Sequence, residues 1–166
     1  MSEIKTLLHD KELAYSGLFK LRELYKLIDQ WFMEHGYDKN ELKNYEDVTE
    51  DEKEYMLELL PYKNYTDYVR GEIRIFMIIK NCKETIVEKE NLKIHMQKGN
   101  IKFSFDAYLI TDYEDSWQTT PFYYFLRTLF DKFVYKIYIT KYENQVIKDC
   151  NEIQNQIKSY LNMQRF

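Results

Sequence analysis

From residue 101 to 109, Ile101, Phe103, Phe105, Ala107 and Leu109 alternate with Lys102, Ser104, Asp106 and Tyr108. A period of two marks a strand with one buried face. A second run of the same kind precedes it. Val69, Gly71, Ile73, Ile75, Met77 and Ile79 share one face; Arg70, Glu72, Arg74 and Lys80 share the other with Phe76 and Ile78. Residues 81–84 read as a turn. Residues 85–88 and 92–96 read as the next strand, with Lys89-Glu90-Asn91 as a bulge or second turn between them. Lys98-Gly99-Asn100 predicts the hairpin turn into the closing strand, because Gly accepts a positive φ freely. Two of these strands run 10 residues or more. The usual strand has about 5–6, so this sheet is expected to twist strongly and to offer a helix a concave face.

Helical spacing takes over on both sides. Leu21, Leu24, Ile28, Trp31 and Phe32 define a helix over 18–35, and Gly36 supplies its stop. Residues 37–53 form a polar, acidic connection with no period. Tyr55, Leu57 and Leu59 alternate with Glu54, Met56 and Glu58, which predicts a short strand. Thr120-Pro121 is a helix start, an N-cap followed by Pro at the first helical position. A helix over about 121–138 follows, with Phe122, Phe125, Leu126, Leu129, Phe130 and Phe133 around much of its circumference. A last helix over about 141–163 places Val146, Cys150, Ile153, Ile157 and Tyr160 at 4-3-4-3 spacing, a heptad seam. The expected fold is one α+β domain over 1–166: an antiparallel meander of three to five strands over about 54–113, packed against an N-terminal helix and a C-terminal helix pair.

Composition narrows the class. Hydrophobic residues at 45% and charged residues at 31% describe a globular chain. The 16 Tyr and 10 Phe could furnish a contact surface. Abundant Lys, Asn and Ile with scarce Ala points instead to codon bias, which explains the surplus more simply. Net charge is −4, against a dedicated duplex-binding protein. Residues 41–60 alone carry a net of −6, leaving the rest slightly basic. Such a run serves as a solvated face more often than as a dock for a basic partner. Cys82 and Cys150 lack metal spacing and make no disulfide scaffold, so a reducing compartment, the cytoplasm, is expected. No secretory leader is read at the N-terminus, and no apolar run approaches the roughly 18 residues that span a bilayer.

Motifs for catalysis, cofactors or metals are not found, and none of these roles is assigned. His95 is the one histidine placed on a sheet face with other polar groups; a surface His there is usually inert. Thr-Asp-Tyr occurs at residues 66–68 and again at 111–113, bracketing the sheet. A paired-Asp site is one reading, and Asp as a local backbone cap is the commoner one. The polar sheet face gathers Arg70, Arg74, Phe76, Lys93, His95, Lys102 and Tyr108. Basic residues interleaved with aromatics can stack single-stranded nucleic acid. Cross-strand ion pairs with Glu72 or Asp106 account for the same residues and are the better explanation. Trp117 reads as a plug between sheet and helix.

Several short motifs recur in a set order: Trp31 with Gly36-Tyr37, Thr66 to Val69, Thr111 to Tyr113 with Trp117, Phe125 to Arg127, and Lys158 to Leu161. In that order they resemble a group of uncharacterised small archaeal proteins. The resemblance covers nearly the whole chain. It implies a single cytoplasmic α+β domain and assigns no catalytic or binding residue.

Three functions are therefore expected, in descending order. The first is a non-enzymatic interaction or scaffold domain, with a protein partner or a second copy and with Val146, Cys150, Ile153, Ile157 and Tyr160 as candidate interface. The second is single-stranded nucleic-acid binding on the polar sheet face. The third is an apolar small molecule held between curled sheet and helix. No membrane partner is expected.

Overall fold

A computed structural model describes residues 2–48, 53–113, 125, 128–129 and 135–164. The chain runs β1 (Glu3–Phe19), α1 (Leu21–Glu34), β2 (Glu41–Val48), β3 (Lys53–Leu59), β4 (Tyr62–Asn64), β5 (Val69–Lys89), β6 (Leu92–Thr111) and α2 (Tyr135–Met163). The six strands form one antiparallel sheet in the order β1-β6-β5-β3-β2. β4 pairs the start of β5, beyond the reach of β3. The sheet is larger than the expected meander. The final helix is single, running through Thr140 where a break between two helices was expected. The rest of the predicted 121–138 helix, and Trp117, lie largely outside the described residues.

β5 and β6 are 21 and 20 residues long and pair along nearly their whole length. The hairpin turn is Glu90-Asn91, both at positive φ (51° and 64°). The turn expected at 98–100 does not exist. Gly99 sits inside β6, where a Cβ would stand 3.0 Å from the Lys80 carbonyl oxygen and 3.2 Å from Cys82 Cα. It is needed there because β5 bulges between Lys80 and Lys83, with Asn81 at φ 55°. The segment read as a turn at 81–84 is this bulge. A glycine in a strand can mark a turn or a close backbone approach, and here it marks the second.

β1 carries the same alternation in weaker form, with Leu13, Tyr15 and Phe19 turned inward. Register shifts near Leu8 and Asp10 interrupt it. β2 is exposed on both sides from Glu41 to Asp47, so it has no hydrophobic period to read. Bulges blunt one sheet edge and charges blunt the other, two usual protections against edge-to-edge pairing.

One face of the sheet is covered by α1 and α2. Ile73, Ile75, Met77, Ile79, Ile101, Phe103 and Phe105 form its centre, all essentially inaccessible. Leu24, Ile28, Trp31 and Phe32 of α1 pack there. α1 ends in a Schellman arrangement: Gly36 N–H donates to the Met33 carbonyl, and Tyr37 N–H to that of Phe32. The Phe32 and Tyr37 rings then meet edge to face at 5.4 Å. On α2, Val146, Cys150, Ile153, Ile157 and Tyr160 are buried within the same core. The heptad seam is thus the packing face of α2 on its own chain. Those side chains offer no open surface to a partner, which corrects their reading as a candidate interface. Gly71 lets the helix close on β5: a Cβ there would stand 2.6 Å from Val146 Cγ2 and 2.8 Å from Tyr65 Cε2.

A polar group is set into this packing. Asp149, buried on α2, accepts from the Tyr37 hydroxyl at 2.8 Å and from Gln145 Nε2 at 2.8 Å. Burial pushes the Tyr37 hydroxyl far above the ordinary tyrosine range and that of Tyr65 up to about 12. Burial likewise raises Cys150 to about 11, and both cysteines are free thiols.

Candidate functional site

The outer face of the sheet, opposite the helices, can be read row by row from the register. Arg74 stands opposite Asp106, and Ser104 lies between Phe76 and Glu12. Tyr45, Met56, Ile78, Lys102 and Ala14 form one row across five strands. On β5 every outward side chain from Arg70 to Ile78 is partly exposed.

Arg74 is the centre of a charged ladder. Its Nε donates to Glu58 Oε1 at 2.6 Å and its Nη1 to Asp106 Oδ2 at 2.8 Å. Its guanidinium also lies 5.4 Å from the Phe76 ring centre. Lys43 adds a second cation at 3.4 Å from Glu58. Asp106 Oδ1 accepts the Asp10 N–H at 2.7 Å, and His9 Nδ1 lies 3.0 Å away. Ser104 Oγ donates to Asp10 Oδ1 at 2.7 Å. The bulge in β1, with Asp10 at φ 48°, is what aims that N–H at the carboxylate. Asp is among the few residues that adopt this conformation readily. The ladder crosses all five strands of the main path.

Both carboxylates are almost fully buried, Glu58 at 7% and Asp106 at 2% exposure. The Arg74 hydrogen bond holds the Glu58 carboxyl below its ordinary range, against the opposing effect of burial. For Asp106, burial pushes upward most strongly. The bonds from Asp10, Arg74 and His9 together outweigh it and hold this carboxyl low as well. Two acids and one arginine that satisfy each other form a structural clasp.

The other predicted residues are similarly placed. Arg70 is stacked between Tyr62 and Tyr113, 4.6 and 4.3 Å from the ring centres, and donates to Asn64 Oδ1. Lys102 pairs with Glu12 at 2.6 Å. Tyr108 is half-buried opposite Glu72. Lys93 and His95 do not join this set. β6 is one unbroken strand, so odd positions face away from Lys102 and Tyr108. Gln97, on their side, accepts the N–H of Leu21 at the start of α1, which fixes that side as the helix side.

The two Thr-Asp-Tyr copies stand together at one end of the hairpin. Asp112 N–H donates to the Tyr68 carbonyl, and the Tyr113 hydroxyl to that of Thr66. Thr66 Oγ1 accepts from the Tyr68 and Val69 N–H groups. Asp67 is exposed while Asp112 is buried, so the two acids have different surroundings. Among the described residues, no group of three or more His, Cys, Asp and Glu could hold a metal ion. Nor is any described helix long and apolar enough to cross a membrane.

Two features were not legible in the sequence. One is a groove of about 550 Å³ between the start of α1 and β2–β3, walled by Leu21, Tyr25, Tyr55, Leu57 and Met77 with Arg22 and Glu46 among its polar residues. The other is a two-stranded ribbon. β3 stops pairing β5 at Cys82, and β1 stops pairing β6 at Gln97. Beyond those points no third strand pairs the hairpin among the described residues; Ile86 is 55% and Leu92 66% exposed, while Met96 is buried.

No match is found among protein-family models, curated proteins or solved structures.

Proposed function

We propose that this protein is a non-enzymatic interaction domain and that the β5–β6 ribbon at residues 83–98 is its contact element. The observation that carries this reading is the ribbon itself. A hairpin of two strands is marginally stable by itself, and this one, with no third strand paired to it among the described residues, also exposes two large aliphatic side chains. Covering it with another protein would protect both the strands and those side chains. The test is affinity capture from cells of the source organism, paired with light scattering, using the wild type and an Ile86→Glu/Leu92→Glu variant. A partner or self-association present in the wild type and lost in the variant is expected. A strict monomer that captures nothing would overturn the reading.

The groove beside α1 favours a second reading, an apolar small molecule held between the curled sheet and the helix. Native mass spectrometry of the purified protein is expected to show a retained adduct, and the bare mass alone would count against it. Single-stranded nucleic acid on the outer face is the reading these contacts favour least. Arg70, Arg74 and Lys102 already hold partners that a phosphate would have to displace.

A further inference from the structure

A row of tyrosines runs from the surface into the core beside α2. Tyr138, the outermost, is 40% exposed. The Tyr142 hydroxyl donates to that of Tyr138 at 3.0 Å, and their ring centres are 5.1 Å apart. Tyr65 follows, its ring centre 4.9 Å from that of Tyr142. The Tyr65 and Tyr37 hydroxyl oxygens stand 3.4 Å apart. Tyr37 ends the row, buried, with its hydroxyl donating to Asp149 Oδ2 at 2.8 Å.

Asp149 is a costly residue to bury. It is 2% exposed, and among the described residues no cation pairs with it. Its two oxygens are held by neutral donors, the Tyr37 hydroxyl and Gln145 Nε2. An apolar side chain would fill the same space without that desolvation penalty. What the carboxylate adds is a proton acceptor within hydrogen-bond reach of a phenol. Spacing on α2 puts it there, because residues 138, 142, 145 and 149 lie along one stripe of the helix.

A phenol in this setting gives up an electron and its proton together. Burial pushes the Tyr37 hydroxyl far above the ordinary tyrosine range, so it does not simply ionise. Lys63 Nζ lies 5.6 Å from both the Tyr37 and the Tyr65 ring centres and opposes positive charge on either ring. When the proton passes to Asp149 as the electron leaves, the Tyr37 ring stays neutral.

We propose that Tyr37 is a redox-active tyrosine that holds an oxidising equivalent as a neutral radical, with Asp149 as its proton acceptor and Tyr138, Tyr142 and Tyr65 as its path to the surface. The oxidant is a one-electron acceptor at the surface, such as an oxidised metal complex or an inorganic radical. It takes one electron from Tyr138, and the vacancy moves inward ring by ring. Each intermediate tyrosine loses its hydroxyl proton when oxidised and regains one when reduced. In the net change the Tyr37 O–H bond breaks, an O–H bond forms on Asp149, and the electron resides on the reduced oxidant. No residue of the ribbon takes part, so this inference and the interaction reading fail separately.

Flash photolysis of the full chain tests it, with tris(bipyridyl)ruthenium as photosensitiser and a pentaamminecobalt(III) quencher. Transient absorbance and electron paramagnetic resonance read the radical. The wild-type tyrosyl radical is expected to outlive that of Tyr37→Phe by at least about tenfold. Infrared difference spectra are expected to show a protonated carboxyl band that rises and decays with it. Asp149→Asn keeps an acceptor for the Tyr37 hydroxyl but does not take its proton, and is expected to lose both signals. Tyr142→Phe is expected to slow formation of the radical and leave its lifetime unchanged. Circular dichroism checks that each variant folds, and the carboxyl band of the wild type needs no variant. A radical as short-lived in the wild type as in Tyr37→Phe, or one that rises without the carboxyl band, overturns the proposal. So does a Tyr142→Phe protein that forms the radical at the wild-type rate.

Discussion

Arg74 and Asp106 face each other across the β5–β6 ladder, with Nη1 and Oδ2 2.8 Å apart. The same guanidinium holds Glu58 from β3, so one side chain pairs with two nearly buried acids. Removing one member of such a group leaves the others charged and poorly solvated. Arg74→Ala is expected to lower unfolding stability on the order of 3 kcal/mol. Urea denaturation with an unchanged slope would measure it. Lys102→Ala, which breaks an exposed pair with Glu12, is the control, with no shift of the urea midpoint expected.

The clasp also sets an acid limit. Glu58 and Asp106 are both held below their ordinary values in the folded protein. A carboxyl of this kind binds fewer protons folded than unfolded, so stability falls as protons are added. Its contribution is complete above the unfolded values near pH 4 and fades as the pH drops through the lower folded ones. Thermal melts between about pH 5 and 2 are expected to show the loss. In an Arg74→Met protein that acid limb is expected to be shallower.

Gly71 is a packing residue, and its replacement tests the fit between α2 and β5. In Gly71→Ala the new methyl meets Val146 and Tyr65 well inside van der Waals distance. A loss of about 1–3 kcal/mol is expected from overpacking. Val146→Ala in the same chain opens room on one side. The double variant is expected to be more stable than the sum of the single losses predicts, a coupling that a double-mutant cycle reads directly.

The ribbon turn is built from residues that adopt positive φ at a cost. Glu90→Asn with Asn91→Gly supplies the pair such two-residue turns favour. Stabilisation on the order of 1 kcal/mol is expected, confined to the ribbon. Hydrogen exchange should show slower opening of the Val87 and Ile94 amides while the protection of Ile75 and Phe105 is unchanged.

The parts legible in the sequence were those whose side chains meet one environment per face. Ile101 to Leu109 and Val69 to Ile79 alternate because one side is core and the other is not. The 146–160 stripe repeats because α2 has one buried face. β2 stayed hidden because both its faces are exposed, and β1 because bulges near Leu8 and Asp10 break its period. The clasp was legible as an expectation of cross-strand pairs, but Glu58 and the Asp10 N–H were not, since strand order and a bulge bring them to Arg74. The turn expected at 98–100 was misplaced because Gly99 carries the stronger local signal; at 89–91 a turn was read only as an alternative to a bulge, because Glu90-Asn91 takes positive φ without glycine.

The sequence by itself determined which residues are apolar at which period, and through that an α+β chain with a long, half-buried hairpin and amphipathic helices on either side. Only the tertiary structure decided which strand lies beside which. That choice made Gly99 a close approach and not a turn. It put Lys93 and His95 on the side away from Lys102, turned the heptad seam inward and left the ribbon without a third paired strand among the described residues. The physical reason is that periodicity is a property of one segment and its environment, whereas register is set by contacts between residues far apart in the chain.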